Sequence, residues 1–238
     1  MRPAFYSLAP GGWRDYVSLL HLPYTLWHLS YIAIGACLAP EVDWSLFGWT
    51  VAAFALALGV AAHALDELRG RPLRTRIPGA VLGGLAAGSL AGASAIGIAV
   101  SADTTLWLLA FVGAGVFLVL AYNLELAGGR FHTDLWFGLA WGGFPVLTAF
   151  FAQAETITWE ALLAGAFAAL LSLAQRRLST QVRLVRRRAV AVTGTIELAD
   201  GTREPVTAAW LVAAPERALQ ALTAATVALA AALVVLRL

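Results

Sequence analysis

Residues 63–78 read HALDELRGRPLRTRIP and bring a histidine, two acids and four arginines together directly after an apolar run. His63 precedes Asp66 and Glu67 by three and four residues, which puts it on their face of a helix. Two carboxylates with an adjacent imidazole could hold a metal ion. Arginine's planar fork pairs with phosphate oxygens with or without a metal. A second polar group follows at Tyr122, Asn123, Glu125, Arg130, His132 and Asp134, and a third is the basic stretch QRRLSTQVRLVRRR, residues 175–188. Among these cations, Arg74, Arg76 and Arg183 are the preferred phosphate binders. A competing set is His21 and His28, seven residues apart, meeting His63 and Asp66, which could bind iron or zinc. The plainer readings are acids that balance neighbouring arginines at a helix end, and arginines that anchor anionic lipid head groups.

The elements that must position these residues are set by composition. Of 238 residues, 60% are hydrophobic and 13% charged, with a mean hydropathy of +0.77, against about half apolar and a quarter charged in a soluble domain. This predicts an all-α integral membrane protein. Crossing the hydrocarbon takes about 20 mostly apolar residues, and seven stretches qualify: 17–38, 47–65, 79–100, 104–122, 134–153, 157–174 and 218–236. The chain divides into an N-terminal segment (1–16), a six-helix bundle (17–174), a basic segment with a hairpin (175–217) and a seventh helix (218–238). There is no cleavage pattern that would make the first span a signal peptide.

All 16 basic residues are arginine. With the N-terminus in the cytoplasm, every arginine except Arg237 falls in an inside loop, and the outside loops hold Glu41, Asp43, Asp103 and Glu155. The positive-inside rule therefore predicts a cytoplasmic N-terminus and an outside C-terminus. All three polar groups face the same compartment and could converge on one cavity. Gly84, Gly88 and Gly92 repeat every four residues, a spacing that lets helices approach closely. Period-two patterning from Val190 to Leu198 and from Val206 to Val212, around Asp200-Gly201, predicts a small cytoplasmic β-hairpin. The single Cys37 lies away from the charged loops and is no candidate nucleophile. Nothing supports nucleic-acid binding or Ser/His/Asp catalysis.

LLHLPYTLWHLSYIAIGACLAP in the first span, RPLRTRIP after the second, and AYNLELAGGRFHTDLWFGLAWGGFPVLTAFFAQ over the fourth and fifth resemble the UbiA superfamily of intramembrane prenyltransferases. The resemblance covers about residues 15–175. Members are helical bundles, usually of nine spans, that transfer an isoprenoid chain from its diphosphate, using magnesium held by two aspartate-rich motifs. The first motif runs Asn-Asp-x-x-Asp-x-x-x-Asp. Placing Asp66 on its middle acid puts Ala62 and His63 where Asn and Asp are usual, and Gly70 on the last acid; Arg71 to Pro78 match the basic, proline-containing tail. Tyr122 and Arg130 match the family's tyrosine and basic residue after the fourth span. The second motif belongs near 175–185, where arginines stand instead of acids.

The resemblance implies a UbiA-like bundle binding an isoprenoid lipid or prenyl diphosphate. Asp66, Glu67 and Tyr122 would be catalytic, Mg²⁺ would sit on Asp66 and Glu67 with His63 as a further ligand, and Arg71, Arg74, Arg76, Arg130 and Arg183 would lie on the phosphates. Magnesium wants several hard oxygen ligands, so the loss of one acidic motif weakens metal-assisted ionisation more than phosphate binding. The expected function is prenyl transfer. The alternatives are a non-catalytic polyprenyl-lipid-binding or assembly subunit, or an isoprenoid cyclase. Expected partners are anionic membrane lipids and a second copy or partner subunit.

Overall fold

The computed structural model describes residues 2–238. A short helix α1 (Trp13–Leu19) leads into α2 (Leu22–Leu38), the two separated at His21, whose backbone is left-handed with φ 46°. Pro23 sits in the first turn of α2, where its missing N–H costs nothing. Helices α3 (Trp44–Gly70), α4 (Gly79–Asp103), α5 (Leu108–Asn123), α6 (Asp134–Ala154), α7 (Trp159–Arg188) and α8 (Ala208–Arg237) follow. Between α7 and α8 lies an antiparallel hairpin, β1 (Thr195–Glu197) and β2 (Arg203–Pro205), with Ile196 opposite Glu204.

Five helices, α3, α4, α6, α7 and α8, are long and apolar enough to cross a membrane. The other two expected spans form apolar helices of 17 and 16 residues, α2 and α5, each about 25 Å long at ~1.5 Å per residue. Membrane-crossing length and composition are thus met by five of the seven stretches.

Arg74 and Arg187 meet at one, arginine-rich end of the helices, and Arg237 lies at the opposite end of α2. The middle of the bundle is α2, with Trp27, His28 and Ser30–Cys37 buried. It packs on α6, α7 and α8 through Trp27, Tyr31, Ile34, Val146, Ala168 and Ala230. Close approach is enforced by glycine: a Cβ on Gly35 would strike the Val146 carbonyl, and one on Gly142 the Ala168 carbonyl. A second core joins α3, α4, α5 and α6 around Leu58, Leu65, Leu82, Val119 and Trp141. The outer helices leave Trp159, Leu163, Leu170 and Val235 exposed, and the turn before α5 leaves Leu106 and Trp107 exposed, as surfaces facing lipid do. At the opposite end the Gln153 amide is paired with the backbone of Asp43. The Arg237 guanidinium there donates to the carbonyls of Cys37 (2.9 Å) and Ala39 (2.8 Å), which end α2.

Three helices carry wide, π-type turns: α3 over Ala55–Ala62, α6 over Leu139–Gly143 and α7 over Leu184–Arg188. Such turns accommodate one extra residue and concentrate at functional sites.

Four expectations need correction. Gly84 and Gly88 face open space, and only Gly92 meets a neighbour, the Leu56 side chain, so the glycine repeat does not pack α4 within the chain. The hairpin is shorter than its alternation suggested. Its return strand stops at Pro205, and the Thr207 hydroxyl accepts from Trp210 N at 3.1 Å, starting a helix where strand residues Ala208 to Val212 were expected. For the same reason the last helix begins ten residues before the expected 218 and runs through Pro215. Likewise α7 continues fourteen residues beyond the expected end at 174.

Candidate functional site

At the arginine-rich end a cavity of about 150 Å³ opens among α2, α3, α5, α6, α7 and the N-terminal segment. One water needs only ~10–15 Å³ by the same measure, so this space admits a polar group of several atoms. Its walls bring together Asp66, His63, His21, His28, Tyr122, His132, Arg176, Arg183 and Arg187. Pro3 to Tyr6 form one side. That strap is held by backbone bonds: Arg187 Nε donates to Pro3 O at 3.3 Å and Arg186 Nη1 to Arg2 O at 3.2 Å. Tyr6 Oη lies 3.1 Å from His21 Nδ1, and burial pushes the Tyr6 hydroxyl above its usual range, so it stays protonated.

The loop after α3 shows why only one of the two adjacent acids reaches the cavity. Successive residues on a helix are ~100° apart. Asp66 lines the cavity, and Glu67 is 1% exposed on the far side. The Glu67 carboxylate accepts from Leu73 N (2.9 Å), Thr75 N (2.8 Å) and Thr75 Oγ1 (2.8 Å). It is the post around which RPLRTRIP folds, and it is engaged there rather than at a ligand. Arg71, left-handed at φ 48°, turns its guanidinium back onto Ile77 O at 2.6 Å. Leu73, Thr75 and Ile77 point inward and alternate with exposed Arg74 and Arg76. The Arg76 amide donates to Asp15 Oδ2 at 2.8 Å, tying the loop to α1.

Of the arginines expected on phosphate, Arg183 lines the cavity, whereas Arg71, Arg74, Arg76 and Arg130 do not. Two others take their place, Arg176 and Arg187. Their signal was present in the sequence: 176, 183 and 187 are seven and four apart, one helical face. Ending the span at 174 on hydropathy hid that face.

The charges in the cavity are unequally compensated. Arg176 is bound by the Asp134 carboxylate and the Tyr122 hydroxyl, and its guanidinium lies over the rings of Tyr122 and Phe137. Arg183 donates to Thr180 Oγ1 and Arg187 to Pro3 O, both neutral. Among the described residues neither is ion-paired with a carboxylate, and no cation pairs with Asp66.

The histidines do gather here, but not as a metal-binding set. His21 and His63 stack face to face, 4.1 Å between ring centroids and 14° between planes, so their in-plane lone pairs cannot meet on one ion. His63 Nδ1 is 3.1 Å from Gly59 O, and His28 Nδ1 is 2.8 Å from Trp141 O. Among the described residues no three His, Cys, Asp or Glu side chains are grouped to hold a metal ion. With Glu67 turned away, magnesium would find one free carboxylate. That donor set does not fit a metal-held diphosphate.

A second cavity, about 100 Å³ and almost wholly apolar, lies deeper among α3, α4, α5 and α6, lined by Phe54, Ala57, Leu90, Gly97, Val112 and Phe144. Trp141, buried in the wide turn of α6, lines both cavities. This shared wall could not be read from the residues alone, because Trp141 looks like any other span residue. Compared with protein-family models, with curated proteins and with solved structures, the chain shows no match.

Proposed function

We propose that the protein is a UbiA-like membrane protein that binds an isoprenoid lipid phosphate, with the phosphate among Arg176, Arg183 and Arg187 and the chain in the apolar cavity. The observation that supports this most is Trp141, whose side chain lines both a cationic cavity and an apolar one. Burying each CH₂ of an isoprenoid contributes roughly 0.8 kcal/mol, and arginine forks supply charge-assisted bonds to the phosphate oxygens. On this reading α2 and α5 also cross the membrane, giving seven spans. The N-terminus and the arginine-rich end are then cytoplasmic and the C-terminus outside.

Purification in mild detergent, followed by mass spectrometry of the co-extracted lipid, tests the proposal. An isoprenoid, phosphorylated or not, is expected; a preparation free of isoprenoids would count against it.

A second reading is prenyl transfer, favoured by one observation: Asp66 stands unpaired inside the cavity near Tyr122, where the family's motif has its middle acid. On that reading Asp66→Asn abolishes turnover of a prenyl diphosphate. Unchanged turnover would remove Asp66 from the reacting groups.

A further inference from the structure

Charge balance in the polar cavity carries the lipid-phosphate reading one step further. A phosphate monoester brings about −1.5 to −2 charges and three acceptor oxygens at pH 7, and a diphosphate ester brings more of both. In metal-dependent sites that larger charge is met by magnesium held on several carboxylates. Here the counter-charge is built differently. Arg176 is already neutralised by Asp134. Arg183 and Arg187 bring two guanidinium groups whose protein partners are a hydroxyl and a carbonyl oxygen, both neutral. The one free acid, Asp66, subtracts from them and would repel each further phosphate oxygen. Glu67, the only carboxylate adjacent to it in sequence, is buried against the loop amides.

We infer that the cavity takes a single phosphate group of a lipid monoester, held by Arg183 and Arg187 without any metal ion. This rests on the lipid-phosphate reading above and narrows it. Two guanidinium groups offset by one carboxylate balance a monoester more closely than a diphosphate, which leaves the larger excess of negative charge in a partly desolvated site. Asp66 then sits at the edge of the phosphate as a negative group rather than as a ligand carrier. It favours the ester with the smaller charge.

The two kinds of site respond oppositely to the same treatments. Binding of farnesyl monophosphate and farnesyl diphosphate to the detergent-purified protein is measured by calorimetry, in EDTA and in magnesium. The monophosphate is expected to bind in EDTA, with magnesium changing its affinity by less than about twofold, and the diphosphate to bind more weakly in EDTA. Arg183→Ala and Arg187→Ala should each weaken the monophosphate roughly tenfold, the loss of one charge-assisted pair. Arg183→Lys, which keeps the charge, should recover part of that loss. Asp66→Asn should leave the affinity unchanged or tighten it.

Binding abolished by EDTA, weakened about tenfold by Asp66→Asn, or stronger for the diphosphate in EDTA would overturn the inference while leaving the lipid-phosphate reading intact. Failure of both compounds to bind under either condition would remove that reading and this one together. Phosphatidic acid in the same micelles separates the two sources of a lipid monoester. Binding as tight as that of farnesyl monophosphate assigns the site to glycerophospholipid head groups, and the isoprenoid then drops out.

Discussion

Asp66 and Glu67 are neighbours of the same chemical type with opposite roles, and the difference is one helical step. Glu67 takes three hydrogen bonds from Leu73 and Thr75 while almost fully buried. Glu67→Ala should therefore destabilise the protein by roughly 2–3 kcal/mol, the cost of leaving buried donors without an acceptor. Asp66→Asn, with no protein partner to lose, should leave unfolding nearly unchanged. Thermal unfolding of both variants in detergent checks the contrast; equal effects would refute it. Asp66, Tyr122 and Arg183 were legible from residue type and spacing, because few polar residues border apolar runs and those that do stand out. Which of two adjacent acids faces the cavity was not legible. Their spacing from His63 permits either, and only the rotation of α3 decides. The alternation in RPLRTRIP was visible as a sequence but read as three phosphate-seeking arginines. Its buried Leu73, Thr75 and Ile77 show that the loop itself has an inner face, from which Arg74 and Arg76 point away.

At the scale of elements, helix ends were the least legible feature, since hydropathy marks where lipid stops rather than where hydrogen bonding stops. The helix α7 runs past its apolar part, and that extension aims Arg183 and Arg187 inward. The wide turns set the aim. Ala55–Ala62 lies just ahead of His63 and Asp66. Removing one residue there, which restores ordinary helix, should rotate Asp66 by roughly 100°. Circular dichroism should stay helical while farnesyl phosphate binding is lost; retained binding would show that the turn does not set the aim. Gly142→Leu should drive α6 from α7, because even a Cβ would strike the Ala168 carbonyl, at a cost of roughly 1–3 kcal/mol in detergent unfolding. The hairpin depends on pH through Asp200, whose carboxyl is held below the usual range by the Thr202 hydroxyl and amide. A depressed acid contributes stability above its unfolded value, near pH 4, and loses it as pH falls through the folded value. The protection factor of the Thr202 amide, with intrinsic exchange divided out, should accordingly fall below pH 4 and stay flat between pH 5 and 7.

For the molecule as a whole, the all-helical membrane architecture with a small hairpin was readable from composition and patterning, because lipid demands long apolar runs that few other proteins contain. The cavities were not, since their walls come from six helices whose contacts no local pattern records. The proposed topology is testable directly: reporters fused before Met1 and after Leu238 should localise to opposite faces, and a cytoplasmic C-terminal reporter would reduce the number of crossings to an even one. The two chain ends also tie the structure together across its length. Arg186 and Arg187 hold the strap at Arg2 and Pro3, 184 residues earlier, and Arg237 closes α2 at Cys37 and Ala39, about 200 residues earlier. A chain made from its N-terminus therefore completes the sequence of its central helix long before the contacts that close that helix can form. While the ribosome is still at work, the carbonyls ending α2 are open and the strap has nothing to grip. Completion of the polar cavity waits for α7, and the far end waits for residue 237. A chain halted between these two points would possess the site without its final fastening.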